Sequence, residues 1–139
     1  MTGLKIASIS EQLDSSPTPR HLVDFISRQL LKAKFVDFTG KSINRSSSGF
    51  VVNAGSIVAW RTGTKTAENG FRIVGAHTDS PCLRIKQNPD DKKFGFNTLS
   101  VEIYGSPLLN SWLDRDLGIA GHVVTRSGET KLFDSLRPV

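Results

Sequence analysis

The chain places its helices first and short β-prone runs after them, an order that reads as the start of an α/β domain. The clearest helix has Leu22, Ile26 and Leu30 recurring every four residues, with Val23 and Phe25 widening the apolar stripe. Thr18 suits the N-cap, and Pro19 suits the first helical position, where its missing N–H would have had no partner anyway. Lys32 and Lys34 lie where the negative end of the helix dipole favours cations. Together these signals predict a helix over residues 18–34. A shorter amphipathic helix is predicted over 3–14, with Leu4, Ile6, Ile9 and Leu13 as its apolar positions, broken by Ser15-Ser16-Pro17.

The rest of the chain is β-prone. Gly40 to Gly49 and Thr62 to Gly70 are polar and read as loops. Phe50-Val51-Val52 and Ser56 to Trp60 are short strand candidates, and Asn53-Ala54-Gly55 between them has hairpin chemistry. Phe71 to Ala76 reads as a strand ending in small residues. Leu83 and Ile85, then Val101 and Ile103, alternate with polar neighbours, and Gly121 to Thr125 with Lys131 to Phe133 form one more pair. Asp90-Asp91 and Ser127-Gly128 are the natural turns. The change of pattern sets a boundary near residue 88: 1–87 as the α/β part, 88–139 as a β-rich unit. Ser135 to Val139 stops directly after a β-like run, with no polar tail or closing helix, so a truncated chain is expected.

Composition removes several functions. The formal net charge is +5, but the densest basic stretch, Lys86, Lys92 and Lys93, sits beside Asp90 and Asp91. Nucleic-acid binding would want a basic stripe with interleaved aromatics, and the charges here are dispersed. With Cys82 as the one cysteine, neither an intrachain disulfide nor an all-cysteine zinc site can form. No stretch approaches the ~20 apolar residues that span a bilayer, and the N-terminus lacks a signal peptide's apolar core. A soluble cytoplasmic protein is the expectation.

Chemistry concentrates in Val74 to Pro81. In extended backbone, residues two apart point to the same side, so His77 and Asp79 would face one space beyond a strand's end, where α/β proteins usually bind ligands. A neutral imidazole is a good zinc ligand, and a carboxylate that accepts its other N–H fixes the tautomer. Gly75 and Ala76 allow close approach, and Pro81 stiffens the exit. His-x-Asp spacing alone also suits a hydrogen-bonded surface histidine.

His77-Thr78-Asp79-Ser80-Pro81-Cys82-Leu83-Arg84-Ile85-Lys86 resembles the signature of the aspartyl aminopeptidase family. Ser15-Ser16-Pro17-Thr18-Pro19, Val101-Glu102-Ile103-Tyr104-Gly105 and Leu136-Arg137-Pro138-Val139 resemble other family segments in the same order. So does Trp112-Leu113-Asp114-Arg115-Asp116-Leu117, with Leu113 where the family usually has Phe. The resemblance covers about residue 12 to the last residue. It implies an α/β zinc-exopeptidase catalytic domain interrupted by an inserted β-rich assembly domain. The implied activity is removal of N-terminal, often acidic, amino acids from peptides by homo-oligomers with two zinc ions per active site. By the match, His77 is a zinc ligand and Asp79 is the catalytic-site carboxylate supporting it. The remaining ligands and the general base belong to later parts of the family's sequence. A dinuclear centre takes about five or six protein ligand groups. One is assigned here, so the chain alone is expected to be inactive.

The other candidates have plainer readings. Asp114, Arg115 and Asp116 are expected as a charged loop with a local ion pair, bracing a domain junction in the family pattern. His21 is expected to be solvated, His122 receives no metal role, and Cys82 reads as a buried thiol. Trp60 and Trp112 read as core or interface anchors. The rival reading is a non-catalytic module that self-assembles through its β-rich half.

Overall fold

The computed structural model describes residues 6–43, 48–63 and 70–138. Residues 3–5 of the helix expected over 3–14 lie outside the described residues, as do parts of the loops expected at 40–49 and 62–70, and Val139. The chain divides into two units, one gathering Met1–Thr78 with Leu117–Val139, the other Asp79–Asp116. This grouping differs from a boundary at residue 88, because the last strands join the first unit.

In the first unit, α1 spans Ile6–Asp14 and α2 spans Pro19–Lys32. The cap of α2 is the expected one: Thr18 is extended, and its Oγ1 accepts from the His21 N–H at 3.4 Å. His21 is half-buried rather than solvated, its Nδ1 lying 2.7 Å from the same hydroxyl. The helix stops short of residue 34 because Lys34 turns left-handed, with φ +67°. Lys34 N–H then reaches Leu31 O and Phe35 N–H reaches Leu30 O, a Schellman closure made without glycine.

β1 (Val36–Asp37) runs parallel to β2 (Ser48–Asn53), which pairs antiparallel with β3 (Ser56–Arg61). β1 had no sequence signal of its own, since two residues carry no periodicity. Among the described residues the buried apolar core is Val23 of α2, Phe38 after β1 and Phe50 of β2. Gly49 makes this packing possible. A Cβ there would stand 2.6 Å from Trp60 Cζ2 and 2.7 Å from Phe38 Cε2, inside the stacked Phe38–Trp60 pair. At the β2–β3 turn Ala54 takes the left-handed conformation, φ +54°, while Gly55 serves close approach: its missing Cβ would lie 2.8 Å from Pro19 Cβ. β6 (Ala120–Val124) and β7 (Thr130–Asp134) form the expected hairpin, closed by Thr125 N–H to Glu129 O at 2.9 Å.

The strand expected over 71–76 does not form, and Phe71, Ile73 and Val74 are 85, 89 and 96% exposed. Strand propensity reports fitness for a half-buried, hydrogen-bonded surface. This segment has no ladder partner among the described residues, so its apolar side chains stand in solvent.

The second unit is a two-stranded ribbon, β4 (Cys82–Lys93) against β5 (Phe96–Tyr104). Asp90 and Asp91 lie within β4, not in a turn. The reversal is made by Phe94 and Gly95, with φ +53° and +84°, the pair of positive values that a two-residue hairpin turn uses. Between Ile85 and Asp90 the register shifts, so Lys86 to Pro89 oppose Ser100 alone. Leu83 pairs with Ile103 and Ile85 with Val101, giving one apolar face with no buried residue on it. Cys82, Arg84, Glu102 and Tyr104 occupy the other.

Candidate metal-binding segment

Residues 70–81 connect the two units without regular structure. At the first-unit end, Thr78 Oγ1 donates to Gly55 O at 2.8 Å. Because Gly55 itself packs on Pro19, this ties the residue after His77 to the start of α2. His77 is exposed.

Asp79 opens the second unit and is half-buried. Its Oδ2 accepts a 2.6 Å hydrogen bond from the Tyr104 hydroxyl at the end of β5, a length typical of a hydroxyl bonded to a carboxylate. The Arg84 guanidinium carbon lies 5.2 Å from the centroid of the Tyr104 ring. The hydrogen bond to Asp79, and then that residue's charge, raise the Tyr104 phenol above its ordinary range, against the pull of Arg84. Tyr104 was legible only as part of a strand. Its partner could not be read, because the β4–β5 register depends on an irregular bulge.

His77 and Asp79 fall on opposite sides of the division between the units. The period-two argument that aimed both at one space required a strand that is not formed. Cys82 is half-buried rather than buried, opposite Tyr104 in the ribbon. Arg115 Nη1 donates to Ser111 O at 3.3 Å, and among the described residues it pairs with neither Asp114 nor Asp116. His122 is exposed on β6. Trp60 stacks on Phe38, and Trp112 is half-buried after the short 3-10 turn Leu109–Ser111.

Among the described residues no three His, Cys, Asp or Glu gather to hold a metal ion. A structural zinc site takes about four protein donors and a catalytic one about three. The donors brought together among the described residues therefore do not by themselves make a zinc centre. No helix among the described residues is long and apolar enough to cross a membrane.

The family model of aminopeptidase I zinc metalloproteases, M18, matches residues 12–139. The chain belongs to the M18 aminopeptidase family. A probable M18 family aminopeptidase 2 of Streptomyces coelicolor is 48% identical over 130 residues, covering 91% of this chain and 30% of that protein. The Mycobacterium leprae protein of the same description is 43% identical, covering 87% of this chain and 29% of its own length. Among solved structures, the M18 aminopeptidase of Thermotoga maritima superposes with TM-score 0.81 at 25% identity, over 95% of this chain and 30% of that one. The S. cerevisiae mApe1 dodecamer gives TM-score 0.79 at 29% identity, over 90% and 32%. The M18 chain described here thus spans about 30% of the length of the curated relatives it matches. Its α/β character agrees with theirs, and the family resemblance drawn from His77 to Lys86 holds.

Proposed function

We propose that this chain is the N-terminal part of a zinc-dependent aminopeptidase that removes N-terminal, acidic amino acids from peptides in the cytoplasm. The observation that carries the proposal is the family match over residues 12–139, which contains the whole His77 to Lys86 string. In this reading His77 is one zinc ligand of a dinuclear site, and Asp79 is the carboxylate that supports it. The other ligands and the general base come from sequence beyond this chain. The β-rich part is an inserted assembly domain, and the working form is a homo-oligomer. One imidazole cannot hold a dinuclear centre, so the isolated chain is inactive.

The deciding experiment is the intact mass of the native gene product, with zinc content per chain of the 139-residue form. A longer product, and a 139-residue form with little zinc, is expected. A 139-residue native product with stoichiometric zinc sinks this reading.

The exposed apolar face of the β4–β5 ribbon favours a second reading, a non-catalytic self-assembly module. A discrete zinc-free oligomer of this chain in solution would support it. A monomer would end it.

A further inference from the structure

We propose that Tyr104 is a positioning residue for Asp79, holding one carboxylate oxygen in place through its hydroxyl while Arg84 braces the phenol ring. The inference rests on the reading that Asp79 supports the metal-binding His77, and it adds the group that holds Asp79 itself.

Three observations converge on it, all within the second unit. The first is the 2.6 Å bond from the Tyr104 hydroxyl to Asp79 Oδ2. A carboxylate offers two oxygens and about four lone-pair sites, so the bond to Oδ2 anchors one oxygen while the group can still accept from further donors. The second is how the strand end is seated. Gly105, with φ +72°, packs so closely on Pro81 that an added Cβ would stand 3.3 Å from its Cβ and Cγ. The segment Asp79–Pro81 is thereby held against Tyr104-Gly105 by backbone as well as by side chain. The third is the ladder. Tyr104 is the Cα partner of Cys82, and Arg84 lies two residues along the same face, 5.2 Å from the ring centroid. The paired strand fixes where the phenol starts, the cation holds its ring, and the hydroxyl meets the carboxylate.

The hydroxyl takes conformational freedom from a side chain that sits on an irregular segment. A carboxylate that must present one oxygen to a ligand's ring nitrogen works through orientation, and loss of such an outer partner costs roughly 10–100-fold in affinity or activity in metal sites generally. Tyr104 acts one step further out, through Asp79.

The charged and titratable groups around the phenol are Asp79, Arg84 and Cys82. Tyr104 is the only tyrosine in the chain, so alkaline absorbance titration of the full 139-residue protein reads it alone. The phenol is expected to ionise at higher pH in the unaltered chain than in Asp79→Asn, where the negative charge is gone. Identical ionisation in the two chains overturns the contact. The second arm is Tyr104→Phe, which keeps the ring and its place over Arg84 but removes the hydroxyl. The Hα–Hβ couplings of Asp79 in NMR spectra are expected to differ between the unaltered chain and Tyr104→Phe, its χ1 populations shifting when the hydroxyl is lost. Unchanged couplings in Tyr104→Phe mean that the ring only packs, and overturn the positioning role. A His77→Ala chain separates this from the metal reading, because both Tyr104 signals are expected to stay unchanged there. If the native gene product keeps its zinc after His77→Ala, the metal reading falls and with it the catalytic purpose of the clamp, even where the titration still registers Tyr104 on Asp79.

Discussion

The helix-on-sheet part of the first unit and the β4–β5 ribbon are made of similar residues, yet one closes a core and the other does not. In the first, α2 lays its stripe over β1–β3, and Val23, Phe38 and Phe50 are buried. In the second, Leu83, Ile85, Val101 and Ile103 line up on one face, and none of them is buried. The difference is the number of layers. A sheet has an apolar face to cover, and α2 covers it; a two-stranded ribbon supplies a single layer of its own and is marginal alone in water. The ribbon's order comes from its ladder and from polar contacts at its ends, Tyr104 with Asp79 and Thr98 Oγ1 with Asp91 O. Stability should therefore respond to apolar truncation in the first region and scarcely at all in the second.

The largest test of that contrast is Phe50→Ala against Ile103→Ala. Phe50 is fully buried, so its truncation is expected to cost about 3–5 kcal/mol, a large share of a domain's stability, and to abolish cooperative unfolding of the α2–β1–β2–β3 region. Ile103 is 55% exposed, and its truncation is expected to cost about 1 kcal/mol or less. Denaturant unfolding followed by circular dichroism measures both, and equal losses would break the comparison. Next comes Gly49→Ala against Gly95→Ala. At Gly49 the new methyl would collide with the Trp60 and Phe38 rings, an overpacking expected to cost about 1–3 kcal/mol. At Gly95 nothing lies within 4 Å and only the left-handed backbone objects, so roughly 1 kcal/mol is expected, read as faster amide exchange in the ribbon alone.

The same contrast explains what could be read in advance. The start of α2 was legible because its signals are local: Thr18, Pro19 and the four-residue recurrence of Leu22, Ile26 and Leu30. Its end was read late because the left-handed residue that stops it is Lys34, where glycine would have announced the stop. The hairpins at 48–61 and 120–134 were legible for the same local reason. Non-local features were not. Phe71 to Ala76 has strand composition, but a strand also needs a neighbour, and composition does not say whether one is present. The β4–β5 reversal was placed at Asp90-Asp91 by turn chemistry, whereas the register carries the strand on to Lys93 and turns at Phe94-Gly95. In the candidate site, His77 and Asp79 were found by residue type and by family resemblance. Tyr104 was missed because its meeting with Asp79 is set by a bulged register that no periodicity encodes.

Two smaller effects sharpen the comparison at the edges of the first region. Thr18→Ala removes the acceptor for the His21 N–H and the hydroxyl beside its ring, and should cost about 1 kcal/mol, with exchange rising in the first turn of α2 and not in the ribbon. The smallest effect is a pH dependence. Hydrogen bonds from Thr39, side chain first and then backbone N–H at 2.8 Å, hold the Asp37 carboxyl below its ordinary value, and Lys41 adds to this. Thr39 Oγ1 already accepts from Val52 N–H at 3.0 Å, so its own hydrogen is left to donate toward Asp37, linking that carboxylate to β2. A carboxyl depressed on folding stabilises the fold above its unfolded pKa, near 4, and loses that contribution as pH falls through the folded value. The first region should therefore loosen slightly in acid, and Asp37→Asn should flatten that slope. The ribbon has the opposite dependence. Its raised Tyr104 phenol contributes fully below the unfolded tyrosine value and loses its contribution as pH climbs through the folded one. Amide exchange measured across the pH range should thus show acid sensitivity near β1–β2 and alkaline sensitivity near the end of β5. A common response of both regions to acid and alkali would mean that they unfold as one, and would end the comparison.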